Sequence, residues 1–172
     1  IDLCKKGCKV VIADMDLSGE ALSHELSGQG FETRFFKTNV TSEENIIELV
    51  KYAVQEFKEI HILVNCAGKA LLELTLTKNG TASLKNFKKI FEINVYGTFF
   101  AAKHVGFQMI KQEKYDNGIR GVIVNVSSIT AEEGPAGLVA YASSKGALNG
   151  MTLPMARDLG YFGIRLITIA PG

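Results

Sequence analysis

The chain has 172 residues, of which 47% are hydrophobic and 22% charged, and its formal net charge is +1. This composition supplies a full apolar core and is typical of one globular domain, while the small charge argues against direct binding of nucleic acid or of a membrane surface. Apolar runs stay short of the roughly 18 residues that a membrane-spanning helix needs, and no signal peptide opens the chain, so we expect a soluble protein.

The cysteine pattern bears on metal binding and on compartment. Cys4, Cys8 and Cys66 are three in number, and an odd count in a domain of this size favours a reducing compartment over a disulfide framework. Cys4 and Cys8 have the spacing of half a metal site, but Cys66 and the scattered histidines supply no second half. We therefore predict no metal site.

The first predicted strand runs from Lys9 to Ala13, a short apolar segment with β-branched residues that ends in Asp14. Beside Asp16, Asp14 can be a solvated loop acid or a ligand-binding residue. We expect Ser18 to cap the following helix, which Gly28 or Gly30 ends.

The next strand is predicted at Thr33 to Lys37, with Asn39 and Val40 directly after it. The residues from Thr41 to Glu44 have the spacing of a capping box, in which a hydroxyl and a carboxylate satisfy the first amides of a helix. Apolar residues then recur at helical intervals as far as Phe57, so a helix is predicted here.

A continuous apolar strand from Ile60 to Val64 fits a parallel sheet that is covered on both faces. NCAG follows it directly, and Gly68 at its end can be either a tight turn or a place where a ligand approaches the backbone. Residues 70–82 show no clear period and contain the turn signal Asn79-Gly80.

Ser83 is predicted to open a long helix, because apolar residues recur every three or four positions from Leu84 to Met109. Asn94 lies in the middle of this segment, although asparagine is a poor helix former. It is either a locally paired polar residue or a residue with a function.

The strongest local pattern begins at the apolar strand from Val122 to Val126, which runs into Ser127 and Ser128. A loop rich in glycine and proline then leads to YASSK, residues 141–145, on a predicted helix. Tyr141 and Lys145 share one helix face, with their Cβ atoms about 5–6 Å apart.

This pair has a plausible chemistry. A phenol titrates near pH 10 in water, and a neighbouring ammonium favours the phenolate, so Lys145 is expected to lower the pKa of Tyr141. Ser128 leaves the carboxyl end of a strand, where ligands of open α/β sheets gather, and its hydroxyl can bond a reacting carbonyl. Tyr161 and Arg165 have the same spacing, but Gly163 between them argues against a helix there.

The remaining elements complete the fold prediction. The helix is expected to continue to Gly160 with a kink or a missing backbone bond at Pro154, and a last strand is predicted from Arg165 to Ala170. Helices that alternate with apolar strands predict an α/β fold with a doubly wound parallel sheet, without repeats or a second domain.

Five motifs together resemble the short-chain dehydrogenase/reductase family in order and spacing. They are NCAG (65–68), NVYG (94–97), NVSS (125–128), YASSK (141–145) and the terminal PG (171–172). The resemblance covers nearly the whole chain and implies a Rossmann fold. The family has a first strand with a Gly-rich phosphate loop and a further C-terminal segment. Residues 1–172 are therefore expected to be the part of an NAD-binding domain that does not include these two segments.

The resemblance also implies roles for individual residues. Tyr141 is expected to transfer the hydroxyl proton, Lys145 to support it and bind the nicotinamide ribose, Ser128 to hold the substrate oxygen, and Asn94 to distort its helix and hold a water of the proton relay. Ser127 is the alternative to Ser128 for holding the substrate oxygen. Ser128 is preferred because it precedes Tyr141 by thirteen residues, as in the family.

The cofactor implied by the resemblance is NAD. Asp14 is expected to bind the adenosine ribose and repel a 2′-phosphate, and Asn39 and Val40 to adjoin the adenine. The other expected cofactor contacts are Cys66, Ala67, Gly68, Tyr141, Lys145, Pro171 and Gly172.

Within the family, the segment LTKNGTASLKNF and the run RGVIVNVSS resemble members that oxidise short 3-hydroxyacyl-CoA thioesters, with steroid alcohols as further substrates. Pro135 and Leu138 stand where those members carry glutamines. Two alternatives stay open, namely a 3-oxoacyl carrier-protein reductase and a non-catalytic scaffold subunit.

The resemblance also implies a homotetramer built on the helices of Asn94 and Tyr141, and a mitochondrial location, with the cytoplasm as the alternative.

Overall fold

The computed structural model describes residues 1–172, and the chain divides into two compact units, Ile1–Glu59 and Ile60–Gly172. Each unit contains a sheet of parallel strands connected through helices, which is the arrangement predicted from the alternating pattern. None of the helices combines the length and the apolar character that crossing a bilayer requires.

The first unit is a two-stranded sheet with helices between and after the strands. Its elements in order are α1 (Asp2–Lys5), β1 (Val10–Asp14), α2 (Ser18–Gly28), β2 (Thr33–Lys37) and α3 (Glu43–Phe57). The strands are parallel, with Val10 opposite Thr33 and Asp14 opposite Lys37. The prediction for β2 is confirmed at both ends, and that for β1 to within one residue.

Both helix starts predicted in this unit are wrong in detail. Ser18 is the first residue of α2 rather than its cap, and its amide donates to the carboxylate of Asp16 at 2.8 Å. The cap of α3 is Ser42, whose Oγ accepts from the amide of Asn45 at 3.2 Å. Thr41 instead donates its hydroxyl to Asn39, so the capping-box reading is shifted by one residue.

The second unit is a three-stranded sheet with a long helical segment and a small hairpin. Its elements are β3 (Ile62–Asn65), β4 (Leu76–Thr77), β5 (Gly80–Thr81), α4 (Leu84–Phe91), a π-helical turn (Glu92–Tyr96), α5 (Gly97–Ile110), β6 (Gly121–Val126), α6 (Thr130–Glu133), α7 (Val139–Gly160) and β7 (Ile164–Ile169). The strand order is β3-β6-β7, and all three strands are parallel.

The register of this sheet aligns the carboxyl ends of its strands. Asn65 at the end of β3 lies opposite Asn125, and Asn125 lies opposite Thr168. The side-chain Nδ2 of Asn65 also donates to Asn125 Oδ1 at 2.9 Å. Because parallel strands end at one edge, the segments that follow β3, β6 and β7 emerge side by side, where ligands of open α/β sheets bind.

Helix α5 packs closely against one face of the sheet. A Cβ on Gly121 would lie 2.7 Å from the carbonyl oxygen of His61 and 2.8 Å from the sulfur of Met109, so no side chain fits there. Ile123 and Met109 are fully buried in this interface. The expectation that β3 is covered on both faces is wrong, because Ile62 and Val64 are 41% and 39% exposed.

The long helix predicted after Ser83 is present, but it changes its winding in the middle. Ser83 caps it by accepting from the amide of Asn86 at 3.3 Å. Residues 92–96 form the π-helical turn, and fully buried Asn94 lies within it. Such turns often occur at functional sites, because the wider winding redirects side chains and carbonyl groups.

Helix α7 continues through Pro154, where the proline removes one backbone donor as expected. Tyr161 follows the end of α7 and Arg165 lies in β7, which confirms that this pair is not a helical one.

Candidate active site

A cavity of about 400 Å³ lies at the carboxyl edge of the sheet β3-β6-β7. The last residue of β6 and residues that follow each of the three strands line it, together with two residues from α7. The lining consists of Cys66, Gly68, Ala70, Val126, Ser127, Ser128, Tyr141, Lys145 and Pro171. The structure therefore brings together three of the four residues that the sequence assigns to catalysis, namely Ser128, Tyr141 and Lys145.

The two serines after β6 differ in their surroundings. Ser127 is buried, and its hydroxyl donates to the backbone carbonyl of Lys145 at 3.0 Å. Ser128 is half-buried, and its hydroxyl exchanges hydrogen bonds only with Thr130, donating to Oγ1 at 2.9 Å and accepting from the amide at 3.2 Å. Ser127 thus ties the strand end to α7, which supports the preference for Ser128 as the residue that meets a substrate.

Tyr141 and Lys145 lie one turn apart on α7, as predicted. The amino nitrogen of Lys145 is 5.6 Å from the centre of the Tyr141 ring, and it donates to the carbonyl oxygen of Val126 at 2.7 Å. Only 5% of Lys145 is exposed. The hydrogen bond to the strand end keeps the amine beside the phenol and inside the cavity.

The environment of Lys145 changes its proton affinity. Burial lowers the pKa of the amino group below its ordinary value, and Cys66 nearby partly opposes this shift. Desolvation disfavours the charged form of a lysine, because the ammonium loses part of its hydration. The amine therefore releases a proton more readily than a surface lysine does, as a member of a proton relay requires.

Asn94 lies behind the cavity wall rather than in it. Its Oδ1 accepts from the amide of Lys69 at 2.8 Å, and its Nδ2 donates to the carbonyl of Lys69 at 3.0 Å and to Ser144 Oγ at 2.9 Å. The position in the π-helical turn agrees with the expected helix distortion. Its role in a proton relay stays a prediction.

The loop after β3 passes close to the residues of the site. A Cβ on Gly68 would lie 3.5 Å from both Asn94 Oδ1 and Lys145 Nζ. Cys66 and Gly68 line the cavity, whereas Ala67 between them is exposed and is not part of the lining.

The segment after β7 also borders the cavity. Pro171 lines it, and its carbonyl accepts from the amide of Ile129 at 3.0 Å. Gly172 is exposed and lies against Ile129.

The other residues expected to contact a cofactor belong to the first unit. Asp14 is exposed at the end of β1, where one carboxylate oxygen accepts from the amide of Asp16 at 2.9 Å. Asn39 is exposed and accepts through Oδ1 from the amide and hydroxyl of Thr41. Val40 is half-buried. Their roles toward a cofactor stay predictions.

Sequence reasoning missed three residues of this region. Ala70 and Val126 line the cavity. Neither carries a functional signal in the sequence, because Ala70 is a small residue in a segment without hydrophobic periodicity and Val126 is an apolar residue of a strand. Ser144 is fully buried and hydrogen-bonded to Asn94, but the motif YASSK alone does not distinguish it from Ser143. Nowhere do three His, Cys, Asp or Glu side chains group in a way that could hold a metal ion.

The arrangement places a hydroxyl, a phenol and a buried amine in one cleft at the edge of a parallel sheet, a combination that is suited to proton transfer. The family model for short chain dehydrogenases matches residues 1–172, in both units. The chain therefore belongs to the short-chain dehydrogenase family, and both the resemblance and the predicted Rossmann-like fold are confirmed.

Individual relatives are similar along nearly the whole chain. It is 40% identical to 3-hydroxyacyl-CoA dehydrogenase type-2 from Mus musculus over 173 residues, covering 99% of this chain and 65% of the relative. The crystal structure of 3-hydroxyacyl-CoA dehydrogenase type-2 from Mycobacterium avium matches with a TM-score of 0.91 and 35% identity, over 99% of this chain and 66% of that chain.

A solved structure with a cofactor is also similar. NAD+-bound xylitol dehydrogenase matches with a TM-score of 0.81 and 34% identity, over 94% of this chain and 59% of that chain. The chain spans 65% of the length of the mouse relative, and these similarities describe that part.

Proposed function

We propose that residues 1–172 are part of the NAD-binding domain of a short-chain dehydrogenase that transfers a hydride between NAD(H) and a secondary alcohol or ketone. The observation that carries this proposal is the cavity lined jointly by Ser128, Tyr141 and Lys145. A hydroxyl, a phenol and a buried amine in one cleft are suited to moving a proton to or from a reacting oxygen.

The residues of the cavity fit a nicotinamide cofactor. Gly68 leaves open the space beside Asn94 and Lys145 that a side chain would occupy, so a flat ring or a ribose can approach the backbone. The amine of Lys145 and the hydroxyl groups are suitable donors for ribose oxygens. When bound, the nicotinamide supplies the acceptor or donor of the hydride, and the similarity to NAD+-bound xylitol dehydrogenase supports this cofactor.

The protein residues handle the proton. In oxidation, Ser128 holds the substrate hydroxyl by a hydrogen bond while Tyr141, in its deprotonated form, accepts the hydroxyl proton, and the hydride from the carbon would pass to a nicotinamide bound in the cavity. In reduction, Tyr141 returns that proton to the carbonyl oxygen. Lys145 is held beside the phenol ring by its hydrogen bond to the carbonyl of Val126, so its ammonium can stabilise negative charge that forms on the Tyr141 oxygen.

Substrate and cofactor preference are further parts of this proposal. The 40% identity to 3-hydroxyacyl-CoA dehydrogenase type-2 supports a short 3-hydroxyacyl-CoA as the substrate. The exposed carboxylate of Asp14 at the end of β1 supports NAD over NADP, because it repels the 2′-phosphate of NADP. By resemblance we also propose a homotetramer and a mitochondrial location.

The decisive test is Tyr141→Phe in the full-length protein. We expect turnover to fall by about 10²- to 10⁴-fold, because the proton donor is lost, while the dissociation constant for NADH stays within twofold of the wild-type value. Tyr161→Phe is the matched control, since Tyr161 is 86% exposed and lies beyond the end of α7. Unchanged turnover in Tyr141→Phe would refute the assignment.

A second experiment tests the cofactor and the substrate. Initial rates of acetoacetyl-CoA reduction are compared with NADH and NADPH, for the wild type and for Asp14→Ala. We expect the wild type to prefer NADH and the variant to lose most of that preference, because the repulsion of the 2′-phosphate disappears. A wild-type preference for NADPH, or faster reduction of the acetoacetyl carrier-protein thioester, would favour a 3-oxoacyl carrier-protein reductase.

A further inference from the structure

Two consecutive serines on α7 have the same chemistry but different surroundings. Ser143 is exposed, and its hydroxyl donates to the carbonyl of Val139, one turn back on the same helix, at 2.6 Å. Ser144 is fully buried, and its hydroxyl donates to the carbonyl of Tyr141 at 2.7 Å. Ser144 alone reaches a second element, because its oxygen also accepts from Asn94 Nδ2 at 2.9 Å.

The contact between Ser144 and Asn94 extends to the cavity wall. Asn94 binds both backbone groups of Lys69, accepting from its amide and donating to its carbonyl. Lys69 lies between Gly68 and Ala70, and both of these line the cavity. The Ser144 hydroxyl, on the helix of Tyr141, is thus connected through the buried side chain of Asn94 to the part of the cavity wall formed by residues 68–70.

The hydrogen-bond capacity of Asn94 makes this connection specific. An Nδ2 group carries two hydrogens, and here one goes to Lys69 and the other to Ser144. The carboxamide is therefore held in one orientation, with Oδ1 toward the amide of Lys69. Without the Ser144 hydroxyl, one hydrogen of a fully buried amide would have no partner, and Asn94 would shift or rotate to find one.

We propose that Ser144 is a positioning residue, which fixes the wall at residues 68–70 against α7 through Asn94 and thereby sets the affinity of the cavity for its cofactor. This inference rests on the proposed dehydrogenase function for its effect on binding, whereas its structural part does not. The side chain contacts neither the cavity nor a reacting atom. Removal of the Ser144 hydroxyl should therefore weaken cofactor binding more than it slows the chemical step.

The test compares Ser144→Ala with Ser143→Ala in the full-length protein. Each change removes one hydroxyl from the same helix, but only the first breaks a contact with Asn94. We expect Ser144→Ala to raise the Kd and KM for NADH by about threefold to tenfold, the ordinary effect of one lost hydrogen bond, with kcat at saturating cofactor changed less than twofold. Ser143→Ala should leave all three values unchanged.

A second measurement follows the network directly. The amide of Lys69 donates to Asn94, so its hydrogen exchange, recorded by NMR, reports how firmly the wall is held. We expect faster exchange at Lys69 in Ser144→Ala and no change in Ser143→Ala. Ser144→Cys, which replaces the hydroxyl by a somewhat larger thiol that forms weaker hydrogen bonds, should resemble Ser144→Ala in both measurements.

The outcomes separate this inference from the proposed function. Equal effects of Ser144→Ala and Ser143→Ala on NADH affinity and on Lys69 exchange would overturn the positioning role. A wild-type protein that binds no NADH would overturn the proposed function, and the Lys69 exchange would then still decide whether Ser144 holds the wall.

Discussion

Each unit contains an asparagine that orders a loop, and the two do so over different distances. Asn39 in the first unit is exposed, and its side chain bonds Thr41, two residues ahead, while its backbone amide donates to Asn45 Oδ1, six residues ahead. Asn94 in the second unit is fully buried, and its side chain joins Lys69 and Ser144, which are 25 and 50 residues away along the chain.

This difference shows where polar groups determine tertiary structure. An exposed side chain that loses its partner can bond water, so the local contacts of Asn39 are replaceable. A buried polar group that loses its partner stays unsatisfied, which costs about 1–3 kcal/mol for each group. The polar contacts of the second unit that surround the cavity should therefore contribute more to stability than those of the first unit.

The largest expected effect is that of Asn94→Ala. The change removes the partner of the amide and carbonyl of Lys69 and of the Ser144 hydroxyl, so we expect the free energy of unfolding to fall by about 3 kcal/mol. Urea unfolding of the full-length protein measures it. A loss below about 1 kcal/mol would remove the contrast between the two asparagines.

The consecutive serines after β6 give an intermediate effect. Ser127→Ala deletes a buried hydrogen bond to α7, so we expect a loss of about 1 kcal/mol in the free energy of unfolding. Ser128→Ala should change stability by less than about 0.5 kcal/mol, because Ser128 contacts only its own turn, but should reduce turnover. Urea unfolding and initial rates distinguish them, and the reverse pattern would make Ser127 the substrate-binding serine.

We expect only a small loss of stability for Asn39→Ala. Its contacts are local and solvent-exposed, so we expect the free energy of unfolding to decrease by only about 0.5 kcal/mol. Measured under the same urea conditions as Asn94→Ala, an equal loss would mean that burial does not separate the two regions.

The pH dependence of stability tests the burial of Lys145. Its pKa is lower in the folded protein than its ordinary value of 10.5, so the unfolded chain binds more protons between the two values. The free energy of unfolding should then rise with pH across this interval and level off above 10.5. Lys145→Met should lack this rise in urea titrations at increasing pH, and a wild-type stability that falls relative to the variant would contradict the burial effect.

Local pattern was sufficient for much of the fold. The limits of β2 and the cap at Ser83 follow from residue types within a few positions, because strand-favouring residues such as Thr33, Phe35 and Phe36, and capping hydroxyls, act on their immediate neighbours. Helix starts were less certain where several polar residues compete. Asp16 and Ser42, rather than Ser18 and Thr41, bond the first helical amides, and the choice depends on backbone angles that residue types alone do not specify.

Motif spacing and helical period are properties of the chain alone, and they were enough to identify the family, the alternation of strands and helices, and the pairing of Tyr141 with Lys145. Three features became visible only in the folded chain: Ser127 bonds the backbone of Lys145, Asn94 joins Lys69 to Ser144, and Ala70 borders the cavity. These contacts connect residues on different elements. Their existence depends on strand register and helix packing, which bring distant segments of the chain within hydrogen-bond reach.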